Sequence, residues 1–237
     1  MLRSRTISTR LLFVIAPLWL FPLCVATLAQ SAKPLTLPLD STAGLEFVDG
    51  KGEITTYRGR RALKLAAAPD HHGSDDTVLA IVTNSDFKDG TIEAEVSGAP
   101  SAGAPADSRG FVGIVFRMQG QGARGEDIYL RPTNGRADDQ LRRNHSVQYE
   151  SMPDYPWHRL RQENPGMYES YADLEAGAWT KLKIVISGKT ARLYVNGAAQ
   201  PCLIVNDLKL GESHGQIALW AHWTTDAYFS NLTVHSN

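Results

Sequence analysis

WTKLKIVISGKTARLYVNG, residues 179–197, decides the fold class of this chain. From Trp179 to Ser187 apolar and polar side chains alternate, the period of a strand with one face buried. Gly188-Lys189 reads as a turn, Ala191–Val195 alternates again, and Asn196-Gly197 is a further turn signal. Outward in both directions the pattern repeats. Toward the N-terminus lie Phe111–Met118 (FVGIVFRM), Thr91–Val96 (TIEAEV), Val78–Val82, Ala62–Ala66, Ile54–Tyr57 and Leu45–Val48. Toward the C-terminus lie Leu203–Val205, Gly215–Ala221 and Ala227–Val234. Gly, Asn, Asp and Ser separate these runs, and no segment beyond the N-terminus carries a helical period. Many short strands at regular spacing predict an all-β protein, a sandwich or a barrel.

The chain has 237 residues, 43% of them hydrophobic and 21% charged, with a formal net charge of −1. That length suits one sizeable domain. The charge balance offers no global field for nucleic acid, so none is expected as a partner. Residues 1–29 read as a secretory signal: Arg3, Arg5 and Arg10 precede the apolar run Leu11–Val25, and Thr27 and Ala29 suit cleavage before Gln30. Pro17 and Pro22 argue against a long membrane helix there, so no membrane span is expected once the signal is removed. An exported protein, periplasmic or extracellular, follows. Loss of the signal removes Cys24, leaving Cys202 in the apolar run Cys202–Val205, where it reads as a small core residue. Residues 30–43 read as a linker and 44–237 as the domain.

Several of these segments together carry a family likeness. "F-x-D-G-T-I-E-A-E-V", "G-F-V-G-I-V-F-R", "G-A-W-T-K-L-K-I-V-I-S-G-K-T-A-R-L-Y-V-N-G", "G-Q-I-A-L-W" and "A-Y-F-S-N-L-T-V" resemble the concanavalin A-like lectin/glucanase jelly roll. The chain is most similar to its laminin-G-like and 3-keto-disaccharide-hydrolase-like domains. The likeness covers Leu45 to His235. It implies a two-sheet antiparallel β-sandwich with sugar across one sheet or its edge loops. The Glu-x-Asp-x-x-Glu strand of family-sixteen glucanases is absent from this chain. The matched positions carried over are Arg117, ending a central strand, and Trp179, opening a hairpin.

One segment departs from plain β-composition. Asp127–Tyr171 holds six arginines and no lysine, with acids and aromatic rings between them. A sugar site needs flat apolar faces and planar polar groups, which Tyr and Trp, and Arg, Asn and Gln, supply. The candidate ligand-binding residues here are Tyr129, Arg131, Asn134, Arg136, Arg143, Asn144, Gln148, Trp157 and Arg161, with Arg117 and Trp220 outside it. Strand alternation places Tyr129 and Arg131 on one face and Gln148 with Ser146 on another. A second reading stays open: a structural loop locked by Arg–Asp pairs and packed under Trp157.

Hydrolysis needs an acid or base, and the candidate catalytic residues are Asp138, Asp139 and His145. Glu126 and Glu150 are further carboxyl groups within reach. Asp138 and Asp139 are adjacent, so on a strand they face opposite ways and cannot both serve one bond. No spacing specifies a metal; calcium on loop oxygens is the cation the fold accommodates, and His71-His72 with Asp75-Asp76 reads as a polar loop. Three functions follow as expectations. The first is a lectin-like carbohydrate-binding module. The second is a hydrolase acting on glycosides, similar to the 3-keto-disaccharide hydrolases. The third is a structural or adhesive module with a protein partner.

Overall fold

The computed structural model describes residues 33–68 and 77–237. The signal and the His71–Asp76 loop lie outside the described residues. In chain order the strands are β1 (Leu35–Leu37), β2 (Leu45–Val48), β3 (Gly50–Tyr57), β4 (Arg60–Ala67), β5 (Thr77–Phe87), β6 (Gly90–Pro100), β7 (Val112–Gln119) and β8 (Arg124–Leu130). Next come a 3₁₀ turn (Pro132–Asn134), α1 (Gln140–Asn144), β9 (Val147–Met152), α2 (Trp157–Glu163) and β10 (Glu169–Ser170). The chain ends with β11 (Thr180–Ser187), β12 (Thr190–Val195), β13 (Leu203–Val205), β14 (Gly215–His222) and β15 (Thr225–Ser236).

Two antiparallel sheets result. Sheet A runs β13-β12-β11-β6-β15-β4-β3, with β1 also on β15; sheet B runs β10-β9-β8-β7-β14-β5-β2. This is the two-sheet sandwich predicted from alternation. The fold-deciding hairpin pairs Ser187 with Thr190 across a two-residue loop, and Gly188 in that loop takes φ +56°, which costs little without a Cβ. The core lies between the sheets. Ile92, Ile184, Leu193 and Phe229 from sheet A and Ile114, Phe116, Ile128 and Ile217 from sheet B all belong to one buried cluster.

Three expectations change. Residues 35–37, inside the stretch read as linker, form β1 in register with Leu232–Val234, and Leu39 is buried in the core. Sheet B carries a second apolar cluster on its outer face, formed by Leu79, Ile81, Val115, Met118, Tyr129, Ala218 and Trp220. The segment after β8 is not one long loop; it makes two short helices around β9 and ends in β10.

Candidate carbohydrate site on the outer face of sheet B

The site begins with a register. Trp220 on β14 pairs with Gly113 on β7, Gly113 with Tyr129 on β8, Tyr129 with Gln148 on β9, and Gln148 with Glu169 on β10. All five therefore stand in one row across sheet B. A Cβ on Gly113 would meet the Ile128 carbonyl oxygen at 2.5 Å. Its absence lets the rings of Trp220 and Tyr129 meet over β7, 4.8 Å between centroids. Gln148 thus shares a face with Tyr129, which corrects the separate faces expected from the sequence. The reason is that register, not numbering parity, sets which residues of two strands stand together.

Arg131, just past β8, reaches back over this row. It donates to the Tyr129 hydroxyl at 3.0 Å and to Gln148 Oε1 at 3.1 Å, and its guanidinium lies near the rings of Phe111, Tyr129 and Trp157. Gln148 is spent on this frame: its amide donates to the carbonyls of Tyr149 and Tyr168. Trp157 opens α2 and leaves 40% of its surface exposed above Arg131. Arg161, one turn on, lies 4.7 Å from the same ring. On the other side of Arg131, Phe111 contacts His222 and His222 contacts Trp223, which is 42% exposed. An aromatic and cationic ridge thus runs from Trp223 through Phe111 and Arg131 to Trp157.

The charge centre is Glu169, 7% exposed. It accepts two bonds from Arg161 Nε and a third from Nη2 at 2.6 Å, and its Oε1 lies 3.1 Å from His145 Nε2. The Arg131 guanidinium is 4.0 Å away. Burial lowers the affinity of His145 for a proton, the Glu169 charge opposes this, and Arg161 and Arg131 reinforce the lowering. The imidazole is therefore neutral at pH 7, with Nε2–H directed to Glu169 and the lone pair on Nδ1. Arg131 and Asn134 both donate to the His145 carbonyl, at 3.4 and 3.1 Å, and hold this residue in place.

One row along the strands stands a carboxyl pair. Asp127 on β8 faces Glu150 on β9. Asp127 is 0% exposed, and neither of its oxygens has a hydrogen-bond partner among the described residues. Burial and the neighbouring Glu150 push its carboxyl well up. Glu150 accepts from the Trp157 backbone N–H at 2.9 Å. Burial also raises the Tyr129 hydroxyl, with Arg131, Glu150, Asp127 and Arg161 all within electrostatic reach.

The structure brings together Tyr129, Arg131, His145, Gln148, Trp157, Arg161 and Trp220. It places the other candidates elsewhere. Arg117 is wholly buried and donates to the carbonyls of Lys88, Gly188 and Gly211 and to Asp89, so it is a structural clamp with no exposed surface to offer a ligand. Asp138 is exposed, and Asp139 caps α1 by accepting from the Arg142 N–H at 3.1 Å. Neither lies on a strand. Arg136 pairs with Asp173 and Glu175 on the surface, Arg143 with the Tyr171 hydroxyl, and Asn144 with Gln140. Trp179 packs edge-on against Tyr57 on sheet A. Among the described residues no group of three or more His, Cys, Asp or Glu side chains is placed to hold a metal ion. Cys202 is half-buried, and burial pushes its thiol up to about 11. Sequence reasoning missed Asp127, Glu169 and Phe111. Asp127 was legible as the residue two before Tyr129 on the same strand, hence on the same face.

Residues 44–235 match the model of the 3-keto-alpha-glucoside-1,2-lyase-like domain. The chain belongs to that family. No curated protein matches it. Among solved structures it is similar to the carbohydrate-binding module CBM66 from Bacillus subtilis, at 16% identity and a TM-score of 0.55 over 81% of this chain and 96% of that one. It is similar to the Bacillus licheniformis beta-glucanase at 12% identity and 0.52, covering 88% and 100%. It is also similar to the exoplasmic/lumenal domain of VIP36 in its Ca²⁺/Man-bound form, at 11% and 0.53, covering 86% and 89%. At these identities the likeness establishes the shared jelly-roll fold. Among the described residues no helix is long and apolar enough to cross a membrane.

Proposed function

We propose that this protein binds a 3-keto glycoside over the outer face of sheet B and cleaves its C1–O bond by 1,2-elimination. The observation that carries the reading is His145 held with its Nε2 3.1 Å from buried Glu169, beside the Tyr129–Arg131–Trp157 surface, in a chain of the 3-keto-alpha-glucoside-1,2-lyase-like family. A ketone at C3 acidifies the hydrogen on C2. A base can then remove it while the substituent on C1 departs. His145 suits the base role, because a depressed imidazole stays unprotonated at neutral pH and Glu169 fixes which nitrogen carries the lone pair. Exposed Trp157 offers a flat face to the sugar ring, and Arg131 and Arg161 stand beneath it as planar donors.

Turnover of a 3-keto glucoside, followed by the absorbance of the unsaturated ketone, tests this. His145→Ala should lose about 100-fold or more in kcat while a non-reactive glucoside still binds. The acid limb of the wild-type pH profile should lie below the ordinary imidazole range, because burial depresses His145. Retention of a glycan with no turnover would instead support the lectin-like reading, for which the sugar-binding surface is the same. No retention of any sugar would leave the face as architecture or as a site for a protein partner. We also place the protein outside the cytoplasm on the strength of the signal-like N-terminus; expression in a bacterial host with fractionation checks it, the expected outcome being a shortened chain beginning at Gln30.

A further inference from the structure

Asp127 stands on the outer face of sheet B between Val115 of β7 and Glu150 of β9. It is 0% exposed, and neither of its oxygens receives a hydrogen bond among the described residues. A carboxylate there would carry its charge with neither water nor a donor, so the group keeps its proton. A valine like the facing Val115 would fill the space without burying a carboxyl. A protonated carboxyl, by contrast, has one O–H to place. The acceptor opposite is Glu150, and residues so paired on adjacent strands have Cβ atoms about 5 Å apart. Glu150 is 8% exposed and accepts the Trp157 N–H at 2.9 Å. That donor favours the charge on Glu150 and leaves the proton with Asp127. The other groups nearby are Tyr129, two residues along β8, with Arg131 beyond it, and Arg161 from α2; β7 brings only apolar Val115. Arg131 is engaged on Tyr129 and Gln148, and Arg161 on Glu169. Glu150 in turn holds the start of α2. Pro156, which caps that helix, offers no side-chain acceptor, so the neighbouring strand supplies one to Trp157, the first residue of α2.

We propose that Asp127 is a positioning residue: its carboxyl donates a hydrogen bond to Glu150 and thereby fixes the start of α2, with Trp157, over the face that takes the sugar. The sugar contact rests on the lyase reading of this face; the latch does not. The raised proton affinity that burial and the Glu150 charge impose on Asp127 agrees with it. So does the division of labour on α2. Its first turn hangs on Glu150 through the Trp157 N–H, and its last on Glu169 through Arg161, so the helix is held at both ends by buried acids of sheet B. Loss of the Asp127 proton sets two carboxylates face to face out of water, an arrangement that does not persist. Asp127 is wholly enclosed, whereas Glu150 already touches solvent, so Glu150 is the one that swings outward, and the Trp157 anchor goes with it. Sugar retention therefore falls on the alkaline side, as Asp127 ionises.

The experiment compares the full wild-type chain with Asp127→Asn and Asp127→Val. It follows hydrogen exchange of the Trp157 amide at pH 7 and retention of methyl α-glucoside across neutral and alkaline pH. An asparagine amide can donate to Glu150 but cannot ionise. Asp127→Asn should therefore exchange as slowly as wild type, hold the sugar at pH 7 and lose the alkaline fall. Valine fills the space without a donor, so Asp127→Val should exchange about 10-fold faster and retain the sugar about 10-fold more weakly. Infrared difference spectra of wild type against Asp127→Asn should show the C=O stretch of a protonated carboxyl at pH 7. No such band, an alkaline fall that survives in Asp127→Asn, or an Asp127→Val that exchanges and binds like wild type would each overturn the assignment. Should Asp127→Val fail to fold, the band and the Asp127→Asn profile still decide. If the wild type retains no methyl α-glucoside, the sugar reading of the face fails, and the band and the amide exchange test the latch by themselves.

Discussion

Strand β11 of sheet A alternates buried and exposed along its length, whereas β7 and β9 of sheet B are buried on both faces almost throughout. The strands have similar lengths and belong to one sandwich. The difference lies in what covers them. The outer face of sheet A meets water, so Lys181 and Lys183 project there. The outer face of sheet B lies under α2 and under the β7–β8 turn, where a Cβ on Gly122 would meet Leu79 at 2.7 Å. Burial of this second face is what makes its polar residues informative. An exposed acid costs nothing, but Asp127, Glu150 and Glu169 are held out of water against an unfavourable desolvation. Such positions are typical of sites that trade stability for chemistry.

Four substitutions sharpen the contrast. The largest effect belongs to Arg117, which ties the sheets together rather than lying on either outer face. Its guanidinium bonds the β5–β6 turn at Lys88 and Asp89, the β11–β12 turn at Gly188, and the segment before β14 at Gly211. Arg117→Met should cost about 3–5 kcal/mol, since three carbonyls and a carboxylate lose a buried charged donor at once. Urea unfolding would show a lower midpoint with an unchanged slope. Two separate transitions would mean that the sheets do not unfold as one unit.

Glu169→Gln should come next, at about 2–3 kcal/mol, because Arg161 and His145 lose a buried anionic acceptor. It also carries a sign. The Glu169 charge is what raises His145 against burial and the two arginines. Without it the imidazole releases its proton at still lower pH, so the acid limb of activity should move further toward acid. A shift toward neutral pH would mean that Glu169 does not face a titrating His145.

How much of this was readable beforehand follows the same division. Sheet A announced itself, since residues such as Ile184 and Lys183 alternate with water on one side only. Sheet B read as apolar runs, FVGIVFRM above all, and nothing in a run says which half faces the core. Tyr129, Arg131, His145, Gln148, Trp157 and Arg161 were legible by type as candidates for a sugar site. Their partners were not: Glu169 lies on a two-residue strand, and α1 and α2, of five and seven residues, are too short to show a period. Asp138 and Asp139 read as candidate acids by residue type, but a helix cap claims Asp139 and solvent claims Asp138.

The smallest effect is the test of the contrast itself. Lys183 on β11 pairs with Glu93 and Tyr194 across the outer face of sheet A, and it is exposed. Lys183→Ala should change stability by no more than about 0.5 kcal/mol and leave sugar retention unaltered. Gln148 occupies the corresponding outward position on β9, yet it is 1% exposed and bonded to Arg131 and two carbonyls. Gln148→Ala should cost about 1–3 kcal/mol by leaving those groups unpaired, and it should weaken retention by loosening Arg131. Thermal melts of the two variants side by side decide the matter. If Lys183→Ala costs as much as Gln148→Ala, then sheet A also carries a covered outer face, and burial does not single out the sheet B surface as the site.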